Sequence, residues 1–222
     1  MSSGKAEKIE SATATASSVA ILDAAQRLFL DAGYDGVSLE EVGRAAGVTR
    51  QTVYNQFGSK EAVFQEVVRR HWNTVRAETA SAFSTMENLT HPAAMLRSFA
   101  SALLRFVAET DQVAFTRLVI AESRRRPWIA KEFYRAGKEP ILRAFAAALS
   151  AMAAKGMIRC AHPELAAHQF MGLVQEFVIW PKVMAIGDAL AELPSNDLVI
   201  DEAVAMFLSR YGTGRRAGSA RA

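Results

Sequence analysis

The stretch that decides the fold is residues 37–64, VSLEEVGRAAGVTRQTVYNQFGSKEAVF. Ser38 is followed three residues later by Glu41, a capping box that predicts the start of a short helix. A glycine turn ends that helix, and Thr49 is placed to cap a second short helix over residues 50–57. Two short helices joined by a tight turn, with one helix before and another after them, predict a helix-turn-helix unit.

The second short helix has one apolar face and one hydrogen-bonding face. If Val53 points inward, the step of about 100° per residue places Gln51 and Asn55 almost opposite it. Glutamine and asparagine can pair bidentately with adenine, arginine can pair with guanine, and a recognition helix meets the base edges with its first turn. The side chains predicted to contact DNA are Ser38, Arg44, Thr49, Arg50, Gln51, Thr52, Tyr54, Asn55 and Lys60.

Basic residues mark the same region as a candidate phosphate-binding surface. Residues 42–60 contain Arg44, Arg50 and Lys60 and no acidic residue. Tyr54 and Lys60 are long enough to reach the DNA backbone, where contacts position a protein without specifying sequence. The competing interpretation is a polar, solvent-exposed face of a small helical unit. Such a face has no need for two very short helices and an acid-free surface together.

The composition argues against a wholly disordered or fibrous chain, and the lack of catalytic and metal-binding motifs argues against an enzyme or a metalloprotein. The chain has 222 residues, of which 50% are hydrophobic and 22% charged, which are ordinary values for a globular protein. A single cysteine, Cys160, permits no internal disulfide and fits a reducing cytoplasm. The four histidines lack a metal-ligand spacing, and no phosphate loop, HExxH or GxSxG motif is present. We therefore predict no catalytic residue, metal or cofactor. No apolar span is long enough for a membrane helix, and we expect a cytoplasmic protein.

The rest of the sequence predicts helices and divides the chain into four segments. Residues 1–16 are small and polar and predict a disordered arm, whereas residues 17–62 form the helix-turn-helix domain. Residues 63–211 predict a larger helical domain. Residues 212–222 predict a basic, flexible tail. The net charge of +3 depends on this end of the chain, because residues 209–222 carry four arginines and no acid. The predicted fold class is all-α.

Large apolar residues in the C-terminal half are typical either of a helix-bundle core or of a ligand cavity. The candidate lining residues are Phe106, Phe115, Leu118, Phe170, Val174 and Trp180. The predicted helices over 163–186 and 196–211 are apolar on more than one face, which favours a four-helix dimer interface. Pro181 lies inside the first of them and predicts a kink or an early end.

The segment AAQRLFLDAGYDGVSLEEVGRAAGVTRQTVYNQFGSKEAVFQEVV, residues 24–68, resembles the N-terminal domain of TetR-family transcriptional regulators. The residues that carry the resemblance are Leu28-Phe29, Gly33-Tyr34, Ser38, the turn Ala45-Ala46-Gly47-Val48, Tyr54, Phe57 and Lys60-Glu61. The resemblance implies a homodimer with one such domain in each subunit. It also implies DNA contacts by Thr49, Arg50, Gln51, Tyr54, Asn55 and Lys60.

Residues 117–137 and 163–181 are similar to the C-terminal domain of the AefR-like branch of this family. The similarity implies an all-helical domain that dimerises and binds a small-molecule effector. The expected function is a repressor that a small apolar or amphipathic ligand releases from a pseudo-palindromic, double-stranded DNA operator. The alternative is a DNA-binding structural or interaction protein whose C-terminal domain binds a protein partner. A closed apolar cavity would favour the first function, and a solid core with an exposed apolar patch the second.

Overall fold

A computed structural model describes residues 3–86, 91–186 and 193–213 of the chain. Over these residues the chain folds into ten α-helices and one π-helical segment, Tyr134–Lys138, which confirms the predicted all-α class. The helices are α1 (Ser3–Ala32), α2 (Leu39–Ala45), α3 (Arg50–Phe57), α4 (Lys60–Met86), α5 (Pro92–Glu109), α6 (Gln112–Ser123), α7 (Pro127–Phe133), α8 (Glu139–Ala154), α9 (Pro163–Val183) and α10 (Asn196–Tyr211).

The two short helices begin and end where the sequence predicts. Ser38 and Thr49 are the N-caps of α2 and α3, and the capping box of Ser38 with Glu41 is present. Gly58 follows the last residue of α3 with a φ of 78°, a backbone conformation that glycine adopts without a steric penalty. The helix-turn-helix geometry is therefore set by local sequence signals.

At its N-terminal end the structure departs from the sequence prediction, and at its C-terminal end it describes only the first residues of the predicted tail. α1 begins at Ser3, whereas the sequence predicts a disordered arm over residues 1–16. Alanine, lysine and glutamate are frequent in this segment, and their high helix propensity favours a helix there. The predicted basic tail, residues 212–222, is described only as far as Thr213, and the remainder lies outside the described residues.

The helices form two compact units. The first comprises residues 1–71 and 114–133, and the second comprises residues 72–113 and 134–222. The sequence instead predicts a single domain boundary after residue 62. Two of the observed boundaries fall inside α4 and α6, where the helical periodicity is continuous and gives no signal of a change of unit. The third lies between α7 and the π-helical segment.

An aromatic cluster forms the centre of the first unit. Phe29 of α1 and Phe64 of α4 meet edge to face, with ring centroids 5.1 Å apart. Tyr34 packs against both rings, at 5.8 Å and 5.4 Å. Trp128 of α7 lies 5.2 Å from Tyr34 and 5.6 Å from Phe64. Because such ring pairs add stability beyond the area they bury, the cluster explains why residues 114–133 belong to this unit.

A second aromatic cluster fills the centre of the second unit. Phe99 of α5 stacks on Phe145 of α8 with ring centroids 4.1 Å apart. Phe170 of α9 lies 5.6 Å from Phe145 and 5.4 Å from Phe207 of α10. All four rings are buried. Helices α5, α8, α9 and α10 therefore pack around one continuous core.

Pro181 marks the end of α9. The helix contains this proline and stops at Val183, three residues before the end that the apolar pattern alone predicts. Proline lacks the backbone donor of other residues and crowds the preceding turn, and Met184 and Ala185 follow in a turn conformation. The structure thus confirms the early end that this proline predicts.

Candidate nucleic-acid interface

A reciprocal cap holds the N-terminus of α2. The Ser38 amide donates to Glu41 Oε2 at 2.8 Å, and the Glu41 amide donates to Ser38 Oγ at 3.2 Å. The Ser38 hydroxyl also donates to Glu41 Oε2, at 2.8 Å. The bond from the Ser38 hydroxyl, followed by the bond from its amide, lowers the pKa of Glu41 because both donors favour the carboxylate. The cap fixes the direction in which the chain enters α2.

The turn between α2 and α3 depends on a glycine inside α2. Gly43 is buried, and a Cβ at this position would lie 3.0 Å from the Val48 carbonyl oxygen and 3.2 Å from the Arg50 amide nitrogen. The Val48 amide donates to the Gly43 carbonyl at 2.9 Å. Gly47 reverses the chain with a φ of 70°. A larger residue at position 43 would push the start of α3 away from α2.

Helix α3 presents the polar outer face that its sequence predicts. Val53 is completely buried, whereas Arg50, Gln51, Tyr54 and Asn55 are exposed. Gln51 Nε2 donates to Asn55 Oδ1 at 2.7 Å, which holds the two side-chain amides next to each other. The helix therefore exposes, side by side, two of the groups that can pair with adenine.

The first turn of α3 is suited to bind an anion or a base edge. Thr49 Oγ1 accepts from the Thr52 amide at 3.1 Å, and the two threonine hydroxyls lie 2.9 Å apart. The turn has no acidic residue and starts with Arg50. A cation at a helix N-terminus opposes the helix dipole. Arg50 is therefore better placed to bind a partner than to stabilise its own helix.

The other two basic side chains predicted to contact DNA have partners within the chain. Arg44 Nη2 lies 3.5 Å from Glu40 Oε1, and both side chains are largely exposed. Lys60 Nζ donates to the carbonyl oxygens of Tyr34 at 2.9 Å and Val37 at 2.8 Å. The surface predicted to lack acidic residues thus has acidic neighbours in α2. Glu40 reaches Arg44 from one turn earlier, and Glu41 lies close enough that, in addition to its bonds from Ser38, the charges of Arg44 and Lys60 lower its pKa.

Lys60 differs most from its predicted role. In addition to its two carbonyl bonds, its ammonium group lies 4.4 Å from the centroid of the Tyr34 ring. The sequence predicts a long side chain that extends to DNA phosphates, but the structure directs it at the turn before α2. The carbonyls of that turn need donors, and one charged donor satisfies two of them. Burial, followed by the charge of Glu61, raises the pKa of the Tyr34 phenol in this environment.

Sequence reasoning misses several residues that shape this interface. Glu122, Arg126 and Trp128 contact the turn between α1 and α2, although they lie about half the chain away in the sequence. Periodicity reports which face of a helix is buried and does not report the partner of that face. Gly43 is different, because a glycine within a helical pattern is a recognisable sign of close backbone approach.

The six residues predicted to line a ligand cavity are not brought together in one unit. The first unit contains two of them, Phe115 and Leu118, and the second contains the other four, Phe106, Phe170, Val174 and Trp180. Five of the six are buried, whereas Trp180 is 43% exposed. Phe170 belongs to the aromatic core of the second unit, and Phe106 stacks on Trp72 at 5.3 Å. These two side chains occupy core positions.

The surface grooves of the second unit include two that are lined by described residues alone. The larger has a volume of about 760 Å³ and is lined by Arg143, Ala146, Ala147, Ser150, Ala161, His162, Pro163, Glu164 and Leu165. The smaller, of about 220 Å³, is lined by Tyr134, Glu139, Leu142, Arg143, Glu164 and His168. None of the six predicted lining residues contributes to either groove.

The described ranges, 3–86, 91–186 and 193–213, carry neither a metal-binding cluster nor a membrane-spanning helix. Within them, no group of three or more histidine, cysteine, aspartate or glutamate residues is arranged to hold a metal ion. No helix within them combines the length and the apolar character that a membrane crossing needs.

Comparison with known proteins finds two family models that match successive segments of the chain. The family model described as bacterial regulatory proteins of the tetR family matches residues 21–67, which include α2 and α3. The family model described as the C-terminal domain of AefR-like transcriptional repressors matches residues 94–213, more than half of the chain. Both matches coincide with the resemblances that the sequence shows.

Individual relatives match over parts or all of the chain. An uncharacterised HTH-type transcriptional regulator of Mycobacterium tuberculosis is 32% identical over 130 residues, which are 58% of this chain and 58% of that protein. The matches with the first curated relatives span 21% to 58% of those relatives' lengths. A solved TetR-family regulator from Mesorhizobium loti is 27% identical with a TM-score of 0.77, covering 90% of this chain and 98% of that chain. The flavonoid-responsive regulator FrrA is 27% identical with a TM-score of 0.71 and the same coverage.

The two family models together cover the helix-turn-helix and most of the C-terminal half of the chain. The helix-turn-helix lies within the first matched segment, and the second contains all of α6 to α10 and α5 from residue 94 onward. The family consists of regulators rather than enzymes, in agreement with the lack of a catalytic motif in the sequence. The chain belongs to the TetR family of bacterial transcriptional regulators and carries an AefR-like C-terminal domain.

Proposed function

We propose that the protein is a dimeric repressor that binds a pseudo-palindromic DNA operator through α3 and leaves it when a small ligand binds. The outer face of α3 is the main observation in support of DNA binding. Arg50, Gln51 and Asn55 are exposed together on this helix, and its first turn has no acidic residue. Their side chains are those that pair with guanine and adenine in the major groove.

The remaining residues of the interface have supporting roles in this proposal. Thr49, Thr52 and Tyr54 flank the base-reading side chains and contact the DNA backbone, as do Ser38 and Arg44 near α2. Such contacts fix the register of a protein on DNA without reading sequence. The geometry of Lys60 supports a different role, in which its ammonium group holds the turn before α2.

An exposed apolar surface on the second unit supports dimerisation. On α9, Phe177 is 51% and Trp180 is 43% exposed, and Met184 follows on the same side of the helix axis. On α10, Met206 is also exposed. Aromatic residues and methionine are enriched at protein interfaces. A two-fold dimer formed through this surface would present two copies of α3 to half-sites about 34–36 Å apart, one helical turn of DNA.

Release by a small apolar or amphipathic ligand is supported by the comparisons. Residues 94–213 match the AefR-like repressor domain, and the similar protein FrrA is described as flavonoid-responsive. A ligand would shift the dimer population toward a separation of the two α3 helices that does not fit successive major grooves. A coupling of about 1–3 kcal/mol between the two sites changes operator affinity by about 5–150-fold.

A second candidate function is DNA binding controlled by a protein partner, without a small-molecule inducer. The second unit has a closely packed aromatic core, and α9 and α10 expose apolar side chains. An exposed apolar surface beside a filled core is the feature expected of a protein docking site. The two candidates share the DNA-binding interface and differ in what the second unit binds.

Selection of DNA duplexes from a random pool tests the DNA-binding interface that the two candidate functions share. The proposal predicts one enriched pseudo-palindrome, bound by a pair of chains for each pair of half-sites when the mass of the complex is measured by light scattering. A pool that yields no preferred sequence, or a single bound chain, would contradict it. Adding flavonoids and other small amphipathic compounds to the selected complex then separates the candidates. Ligand release predicts that at least one compound lowers affinity about fivefold or more, and partner control predicts that none does.

A further inference from the structure

The turn between α1 and α2, residues 33–36, is held by the corner between α6 and α7, residues 122–128. The Tyr34 amide donates to Glu122 Oε1 at 3.0 Å across 88 sequence positions. Gly33 has a φ of 75°, and a Cβ there would lie 2.8 Å from the same carboxylate oxygen. Gly33 therefore both ends α1 and leaves the space that the carboxylate occupies.

A second set of contacts joins the same two segments. Asp35 forms an ion pair with Arg126, and the Arg126 guanidinium lies 5.1 Å from the centroid of the Tyr34 ring. Trp128 packs against the same ring with a centroid distance of 5.2 Å. The corner thus contacts the turn through a backbone hydrogen bond, an ion pair and ring packing.

The corner has a defined backbone of its own. The amides of Arg125 and Arg126 donate to the Glu122 carbonyl at 3.0 Å and 2.8 Å, and the Ile129 amide donates to the Arg126 carbonyl at 3.0 Å. These bonds close the end of α6 and the start of α7. Because bonds on both sides fix its backbone, the corner presents the Glu122 and Arg126 side chains from a fixed base.

The turn leads directly to the DNA-reading helices. Val37 follows the turn, and Ser38 after it is the N-cap of α2. Lys60 binds the Tyr34 carbonyl within the turn and the Val37 carbonyl just after it. α2 in turn packs against the start of α3 through Gly43. The position of α3 therefore depends on a turn that is held by Lys60 and by the α6–α7 corner.

We propose that Glu122 and Arg126 are positioning residues for DNA binding, which hold the turn at residues 33–36, and through it α2 and α3, in the arrangement that reads the operator. The inference rests on the proposed role of α3 in reading DNA. It extends the DNA-reading apparatus to a segment that lies outside the helix-turn-helix.

The test uses the full chain and compares four variants. Glu122→Ala removes the acceptor of the Tyr34 amide, whereas Glu122→Gln retains an oxygen acceptor without the charge. Arg126→Ala removes the ion pair with Asp35, and Arg125→Ala is its control at an exposed neighbouring position. Two properties are measured: amide hydrogen exchange over residues 33–42 without DNA, and operator affinity by fluorescence anisotropy after titration of the active fraction.

The proposal predicts that Glu122→Ala and Arg126→Ala accelerate exchange over the turn and weaken operator binding by about tenfold or more, the scale of a lost hydrogen bond to a charged group. Glu122→Gln and Arg125→Ala should change affinity by less than about threefold, within the scatter of ordinary surface substitutions. A purely stabilising role would lower the melting temperature and leave the affinity of the active molecules unchanged. That result, or unchanged exchange over the turn in Glu122→Ala, would overturn the proposal.

Two further measures keep the test decisive. If Arg126→Ala does not fold, Asp35→Asn takes its place, because Asp35 is exposed and its change breaks the same ion pair from the other end. If the wild-type chain shows no preferred DNA sequence, the proposed function fails. The exchange measurement then still decides separately whether Glu122 holds the turn.

Discussion

Replacing Arg50 by alanine separates base reading from general attraction to DNA. Arg50 is exposed at the first position of α3, in a turn without acidic residues. Because its charge opposes the helix dipole, alanine should leave stability unchanged or raise it by about 0.3–1 kcal/mol. A bidentate arginine–guanine pair is worth about 1–3 kcal/mol of discrimination. Two subunits therefore lose about 2–6 kcal/mol, which corresponds to roughly 30-fold to more than 10⁴-fold in operator affinity.

The assay is fluorescence anisotropy with the selected operator and with a scrambled duplex of the same length, at one salt concentration. Arg50→Ala should weaken operator binding far more than binding to the scrambled duplex, since the latter offers no guanine in register. Arg143→Ala in the second unit is the matched control, with the same change in charge at a side chain that is 78% exposed. Equal proportional losses on both duplexes would refute the assignment of Arg50 to base reading.

Three further predictions follow from other contacts. Trp180→Asp should weaken dimerisation by about 30-fold or more in sedimentation equilibrium, because a central interface aromatic is worth about 2 kcal/mol or more, and unchanged dimers would place the interface elsewhere. Ser38→Ala should cost about 1 kcal/mol of unfolding free energy in urea titrations, and NMR titration should show the pKa of Glu41 rising toward its ordinary value. Since folding lowers that pKa, the Glu41 contribution is present above its ordinary pKa and is lost as the pH falls through the lower, folded value. Lys60→Met should destabilise the fold by about 1–3 kcal/mol, because two carbonyls lose a charged donor, and should leave the salt dependence of binding to random DNA unchanged. A flatter salt dependence would instead restore Lys60 as a phosphate contact.

Local signals explain the parts of the fold that could be predicted. Ser38 with Glu41, Thr49 and the glycines act within a few residues, so one sequence is enough to locate α2 and α3. The exposed face of α3 follows from the inward direction of Val53, because helix geometry alone then fixes the other side chains. Pro181 similarly acts on its own turn of α9.

Contacts between distant segments explain the parts that could not be predicted. Lys60 has the length and charge of a phosphate contact, and nothing in its neighbouring sequence indicates that two carbonyls of an earlier turn would bind it. The apolar pattern of residues 114–133 is compatible with either unit, and only Trp128 packing on Tyr34 decides between them. For the same reason, the packing of Phe170 against Phe145 and Phe207 could not be assigned in advance.

The central claim is that α3 reads a specific DNA sequence, and binding to DNA from immediately upstream of the protein's own gene tests it most directly. The measurement is a mobility shift at fixed salt, with an excess of random DNA as competitor and Arg50→Ala in parallel. The account predicts a complex of the wild-type chain that resists the competitor and is lost in Arg50→Ala. A complex that random DNA displaces as readily as the upstream fragment itself, or one that Arg50→Ala forms equally well, would contradict it.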